Sequence, residues 1–315
     1  ADKANGKTSK EIKNIDGDIK AMWEDQRGYL SSFAQLHLED PVRAQNYRAL
    51  SERRSEIDWV EGDLRDSEYC ASLLSGVNEV FHMASCRRNI GVHRKKSSDV
   101  LNENVRMTLA LIEAMKERDP VPVTFFSTAN VPPSLDTVAL SQSNTVDGYV
   151  LGKALCETLW FTAAHQRHFP LLIVRPVGVY GPRDTFAEDA NVIPALMMKA
   201  RDHDVLEVWG TGDEERAFLY VEDLIEAIVR LKDVDARGIQ YITSDGIVTV
   251  KHLAEAVCSI VCPERRIQFN ASKSLSARTI PVLSSHPVLQ AMKWTSLEDG
   301  LRRTFEVWNN ASLSA

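Results

Sequence analysis

The sequence predicts an α/β protein in which a doubly wound parallel sheet carries most of the chain and a smaller C-terminal α/β part follows. Three observations predict it. From about residue 57 short apolar runs alternate with amphipathic stretches of helical length, a pattern that implies right-handed strand–helix–strand crossovers and parallel pairing. At 315 residues the chain is too long for one small core and suits a large domain with a lobe. The texture then changes after Pro182, where two helical stretches enclose one short strand.

Taken in order, 57–60 reads as a strand and 66–75 as a helix. The apolar strand 77–83 runs out into His82-Met83-Ala84-Ser85. Helix 104–118 follows, with Leu109, Ile112 and Met115 on one face, then strand 121–126, helix 149–168 and strand 171–174. Beyond Pro182 come helix 191–201, strand 206–209, helix 221–231, strand 240–243, helix 250–261, strand 267–269 and helix 297–308. Segments 184–189 and 271–285 read as mobile loops. The division expected is 1–176 for the main domain and 177–315 for the lobe, with the chain crossing back near 217–245. Ligands of such sheets sit at the carboxyl ends of the strands.

Composition narrows the function. Hydrophobic residues at 44% and charged residues at 26% are ordinary for a globular protein. A net charge of -7 argues against nucleic acid as a partner, while a local arginine can still serve a small anionic substrate. Of the five cysteines, Cys258 and Cys262 lie one helical turn apart, but no second pair stands near to complete a metal site. Buried thiols in a reducing, cytoplasmic setting are expected, with no metal. There is no apolar run of about 18 residues to span a membrane, and 1–20 lacks the apolar core of a signal peptide.

Chemistry concentrates at Tyr149-Val150-Leu151-Gly152-Lys153, where a phenol and an ammonium four residues apart share one helix face. An ammonium beside a phenol stabilises the phenolate, so the tyrosine can exchange a proton with a substrate hydroxyl while a hydride moves. The pair alone is common; its context is not. Phe126-Ser127-Thr128-Ala129-Asn130 follows a buried strand, so hydroxyls face the sheet-end crevice. Arg175-Pro176-Val177-Gly178-Val179-Tyr180-Gly181-Pro182 closes the next strand. Trp209-Gly210-Thr211-Gly212 leads to Arg216-Ala217-Phe218-Leu219-Tyr220-Val221-Glu222-Asp223.

In this order and spacing the segments resemble the extended short-chain dehydrogenase/reductase family, in its nucleotide-sugar epimerase, dehydratase and reductase branch. Gly62-Asp63-Leu64, His82-Met83-Ala84, Asn104 and Lys293-Trp294 also match family positions, as does 297–301. The resemblance covers roughly residues 57–308. The Asp147-Gly148-Tyr149 approach and the Val208-to-Gly212 turn are most similar to the GDP-mannose epimerase and GDP-fucose synthase group.

The resemblance implies a Rossmann-like sheet with a substrate-binding lobe, NAD or NADP as cofactor and a nucleotide-diphosphate sugar as substrate. It implies Tyr149 as general acid/base, Lys153 as the group that lowers its pKa and holds the nicotinamide ribose, and Thr128 as the partner of the reacting oxygen. Asp63 and Leu64 would border the adenine. Asn104 would order the active-site helix. His82, Ala84 and Pro176 fall at cofactor-lining positions, although His82 reads equally as a packed strand-end residue. Ser127, Asn130, Asn191 and Arg216 fall on the substrate side; Arg216 suits a diphosphate because its fork meets phosphate oxygens bidentately, or else pairs with Glu214 or Glu215. Relatives pair two helices per subunit, which implies a homodimer through a four-helix bundle formed by 104–118 and 149–168.

The amino-terminal region departs from the pattern. Such enzymes hold the pyrophosphate on a glycine-rich turn at a helix N-terminus, yet the only glycines before Gly62 are Gly6, Gly17 and Gly28. The nearest match, Ile15-Asp16-Gly17-Asp18-Ile19, flanks one glycine with two carboxylates that would repel a pyrophosphate. A strand at 34–38 runs into Glu39-Asp40, where Asp40 would meet the adenosine ribose. Asn130 stands where the GDP-mannose epimerase group carries a cysteine acid/base, which argues against 3,5-epimerisation by that route. Gly178 replaces an asparagine common in the branch. Three readings follow: an enzyme of nucleotide sugars, a non-catalytic or cofactor-altered relative serving as a binding or scaffold subunit, and a reductase of another small alcohol.

Overall fold

The computed structural model describes residues 60, 62–86, 96–116, 118–132, 147–182, 184, 186, 190–244, 246–273 and 286–313. Asp40, the strand expected at 34–38, the 15–19 segment and the strand expected at 57–60, Val60 excepted, lie outside these residues.

The main sheet is four parallel strands in the order β1 (Val80–His82), β2 (Val123–Phe126), β3 (Leu171–Pro176) and β7 (Gly238–Ile242). Alternation along its strands builds two cores. Val123, Phe125, Leu171 and Ile173 face Leu111 of helix α2 (Ser97–Ala114), Met115 just after it, and Cys156 and Trp160 of helix α3 (Gly148–Arg167). Phe126, Leu172 and Val174 face the other way, into a cluster with Leu224, Ile228 and Leu231 of helix α5 (Val221–Asp233). Helices on both faces make the sheet doubly wound, and its central strands β2 and β3 therefore read as mostly apolar stretches, buried along their whole length. Helix α1 (Ser67–Leu73) precedes β1, capped by the Asp66 carboxylate, which accepts from the amides of Glu68 and Tyr69.

Helices α2 and α3 lie close because α3 carries glycine where they touch. A Cβ on Gly148 would fall 1.8 Å from the Ser97 carbonyl oxygen, and one on Gly152 would stand 3.3 Å from the Leu101 Cα. The C-terminal part adds β4 (Gly178–Tyr180) and β6 (Glu215–Tyr220) as a parallel pair, with β8 (Ile247–Thr249) antiparallel to β6. A separate parallel pair joins β5 (Val205–Trp209) to β9 (Arg266–Asn270). Helices α4 (Val192–Asp202), α6 (Val250–Val261), α7 (Pro287–Gln290) and α8 (Leu297–Leu313) complete this part.

Two differences from the sequence expectation have plain causes. Helix α2 begins at Ser97, not at residue 104, because the polar stretch Ser97-Ser98-Asp99 hides Val100, which extends the buried row through Asn104, Thr108 and Leu111. Strands β4, β6 and β8 were not expected: β4 and β8 are three residues each, β6 opens on Glu215-Arg216 and runs straight into a helix, and the three mostly pair with one another. All five cysteines are free thiols. No described helix is long and apolar enough to cross a membrane.

Candidate active site

The carboxyl ends of β1, β2 and β3 and the first turns of α3 place the expected residues side by side. The Asp147 carboxylate caps α3, accepting from the Tyr149 amide at 3.0 Å and the Val150 amide at 3.3 Å. That cap fixes where the helix starts and so how Tyr149 and Lys153 meet the strand ends. Both are buried, with Lys153 2% exposed. The Lys153 ammonium donates to the Phe126 carbonyl at 2.7 Å and lies 4.8 Å from the centre of the Phe125 ring. An ammonium in so dry a place survives only where such acceptors replace water.

The turn after β2 carries Ser127, Thr128 and Asn130. Its backbone is stitched to β3, the Ser127 amide donating to Val174 O at 2.8 Å and the Ala129 amide to Pro176 O at 3.0 Å. Thr128 Oγ1 accepts from the Asn130 amide at 3.3 Å, and Asn130 is exposed. The Ser127 hydroxyl donates to Glu157, and Glu157 is paired with Arg175; both are buried.

Asn104 joins α2 to the end of β1. Its Oδ1 accepts from the Ser85 hydroxyl at 2.8 Å and the Cys86 amide at 3.0 Å, while its Nδ2 donates to Cys86 O and Val100 O. Its carbonyl accepts from Cys156 Sγ at 3.3 Å, which reaches across to α3. His82 turns inward from β1. Its Nδ1 accepts from the Trp160 indole at 3.0 Å, and its buried Nε2 has no hydrogen-bond partner among the described residues. Burial, with the Lys153 charge behind it, pushes the His82 pKa down to about 3, so the ring is neutral. Ala84 is buried beside it.

Asp63, half-buried, is gripped by Arg65, whose Nε donates to both carboxylate oxygens at 2.9 Å and whose far end reaches Glu103. That side-chain bonding holds the Asp63 carboxyl below the usual range. Leu64 packs against the core on the α2 side and lends its carbonyl to Cys70.

Of the expected substrate-side residues, Ser127 and Asn130 thus sit on the turn that carries Thr128, while Asn191 and Arg216 belong to the C-terminal part. Asn191 stands at the N-terminus of α4, and its side chain does not cap that helix. Arg216, on β6, donates to the Glu215 carbonyl at 2.7 Å, and burial pulls its pKa down against the pull of Glu214. Nearby in sequence, Trp209 is 49% exposed at the end of β5. Its indole donates to Glu207 at 3.2 Å, and the ammonium groups of Lys199 and Lys273 lie 5.1 and 5.5 Å from its ring centre. Among the described residues no three His, Cys, Asp or Glu side chains come together as a metal site.

Glu157 and Trp209 were not singled out from the sequence as site residues. A signal existed for each: Glu157 is an acid one turn beyond Lys153 on a mostly apolar helix, and Trp209 ends a strand just before a glycine turn.

The model of the NAD dependent epimerase/dehydratase family matches residues 36–242, about two thirds of the chain. A dTDP-4-dehydro-6-deoxy-D-allose reductase of Streptomyces is 27% identical over 65% of this chain and 66% of its own length. GDP-L-fucose synthase 1 of Arabidopsis thaliana is 30% identical over 59% of this chain and 57% of its own. The chain thus spans less than two thirds of each of these relatives. Among solved structures, UDP-glucose 4-epimerase of Thermotoga maritima, with UDP-glucose, superposes with a TM-score of 0.69. It covers 80% of this chain and 84% of its own at 19% identity, a likeness of fold.

Proposed function

The chain belongs to the NAD dependent epimerase/dehydratase family, and from that premise we propose that it is an NAD(P)-dependent enzyme acting on a nucleotide-diphosphate sugar, with Thr128, Tyr149 and Lys153 as its catalytic set. The observation that carries the reading is the buried Lys153 ammonium on the same helix face as Tyr149, at the strand end that also bears Thr128. The cofactor, when bound, supplies the hydride acceptor and donor. The donor set at the strand ends fits its reactive half: an ammonium, a phenol and a hydroxyl at the mouth of a parallel sheet.

The chain's own residues do the rest. Lys153, fixed by the Phe126 carbonyl, holds positive charge beside Tyr149 and favours its phenolate. Tyr149 then takes the proton from a sugar hydroxyl, or returns it to a carbonyl, and Thr128 orients that oxygen. Arg216 and Asn191 suit the diphosphate, and the exposed Trp209 indole, with two ammonium groups close by, suits a nucleobase. Asp63 and Leu64 lie on the adenine side. The class of reaction that fits is oxidation or reduction at one sugar carbon, with epimerisation, dehydration or net reduction as outcomes.

Leu109, Leu155 and Phe161 stay exposed along α2 and α3, and on this ground we assign a homodimer through a four-helix bundle of those helices. Sedimentation as a monomer at micromolar concentration would remove that assignment. Five free thiols suit a cytoplasmic enzyme.

The first experiment is titration with NAD and NADP, followed by a panel of nucleotide sugars with reduced nicotinamide as the readout. Binding that disappears in Lys153→Ala supports the reading. Tyr149→Phe is expected to keep binding and lose roughly 10²- to 10⁴-fold in kcat. The glycine-poor first 56 residues favour a second reading, a binding or scaffold subunit. Absence of binding at millimolar NAD and NADP would make that second reading the better one.

A further inference from the structure

Three residues of α3 at successive four-residue steps face the strand ends: Tyr149, Lys153 and Glu157. The first two belong to the proposed catalytic set. The third is a carboxylate only 5% exposed, which demands a reason, because a buried acid is costly unless charge and hydrogen bonds surround it. Glu157 Oε1 accepts from the Ser127 hydroxyl and from Arg175 Nε at 2.9 Å, and Oε2 accepts from Arg175 Nη2. Arg175 Nη1 in turn donates to the Tyr241 hydroxyl of β7 and to the Val131 carbonyl at 3.3 Å.

Ser127 and Val131 are the two ends of the turn that carries Thr128. One ion pair therefore grips that turn at both ends, Glu157 through a side chain and Arg175 through a backbone carbonyl. It ties the turn to the helix of Tyr149 and Lys153, to β3 and to β7. As a source of stability the pair is poor, since well-packed apolar residues often replace a buried ion pair without loss. What apolar residues cannot supply is directional bonding to Ser127 and Val131. We infer that Glu157 and Arg175 are positioning residues: they hold the Ser127–Val131 turn so that Thr128 meets the reacting oxygen in register with Tyr149. Neither touches substrate. The inference rests on the proposed catalytic set, but its structural half stands by itself.

The experiment compares Glu157→Gln with the apolar double variant Glu157→Leu/Arg175→Met, measuring kcat, KM, NAD affinity and amide hydrogen exchange across residues 127–131. The double variant is expected to fold, to exchange faster in that turn, and to lose ~100-fold in kcat, the scale for a misplaced reacting group. KM and NAD affinity should stay within about threefold, as expected when ground-state binding is intact. Glu157→Gln retains a hydrogen-bond acceptor for Ser127 and should recover part of kcat. It also serves as the reading if the double variant does not fold. Unchanged exchange in 127–131, or faster exchange with a wild-type kcat, would overturn the inference. If the wild-type protein turns over no nucleotide sugar, the proposed function fails, and the exchange data still decide whether the pair fixes the turn.

Discussion

At the carboxyl ends of β2 and β3 the charged groups are sealed in, whereas Glu207 and Lys273 beside Trp209 stand in water. Glu157, Arg175 and Lys153 are each 5% exposed or less, and each finds its partners within the protein. Glu207 and Lys273 face each other at 3.0 Å with about two fifths of each side chain accessible. The contrast matches what the proposed function asks of each region. Proton and hydride transfer reward fixed geometry in a dry place, where each polar contact is strong and each orphan expensive. Gripping a charged, flexible ligand rewards groups that can exchange water for it at little cost.

Deleting one side chain from each region should separate them by what is lost, stability in one and ligand affinity in the other. Glu157→Ala leaves Arg175 buried without its counter-charge, and urea unfolding should show a loss of about 3–5 kcal/mol. Trp209→Ala removes an exposed surface and should leave unfolding nearly unchanged. Its cost should fall on nucleotide binding, where a lost stack is worth about 1–3 kcal/mol, or roughly 5- to 150-fold in affinity. A Trp209→Ala protein with wild-type affinity for nucleotide sugars would take Trp209 out of the site.

His82 sharpens the comparison through pH. Its pKa lies near 6.5 in the open chain and is pushed by burial to about 3 in the fold. Between those values the unfolded chain binds a proton that the folded one refuses. The neutral ring's contribution is therefore full above pH 6.5 and drains away as pH falls through the window, at up to ~1.4 kcal/mol per pH unit. His82→Gln keeps an acceptor for the Trp160 indole and cannot titrate. Unfolding curves of the two proteins should run parallel above neutrality and converge in acid; parallel curves down to pH 4 would show that His82 carries no such load.

What the sequence made legible and what it hid divide along the same line. Tyr149 and Lys153 announce themselves because helical spacing alone puts them on one face. The centre of the main sheet was legible because strands covered on both faces, β2 and β3, read as mostly apolar stretches. Glu157 was not, since an acid on a helix ordinarily faces water, and only the arrival of Arg175 from β3 reverses that. The His82–Trp160 bond joins residues 78 apart, a pairing no local pattern encodes. Strands β4, β6 and β8 escaped because three residues are too few to show a period, and β6 opens on charge and runs straight into a helix. Their existence depends on one another.

The smallest effect expected is also the cleanest check on the exposed region. The Glu207 carboxyl is held down to about 2 by bonds from Asn270, Lys273 and Trp209, in that order. Its neighbourhood is open, so solvent screens the Lys273 charge and two long side chains lose freedom in forming the contact. Lys273→Ala should therefore leave Tm unchanged within error at any ionic strength. The same substitution removes one of the two ammonium groups near the Trp209 ring, so nucleotide-sugar affinity should fall modestly at low salt. That deficit should close as salt rises, because screened surface charge is what is lost. A fall in Tm would mean the cluster is part of the fold's support, and a salt-independent loss of affinity would mean that Lys273 makes a desolvated contact instead. Either result would erase the division between a sealed chemical end and a solvated recognition end, because it would place at Trp209 the kind of buried charge that Glu157 and Arg175 make.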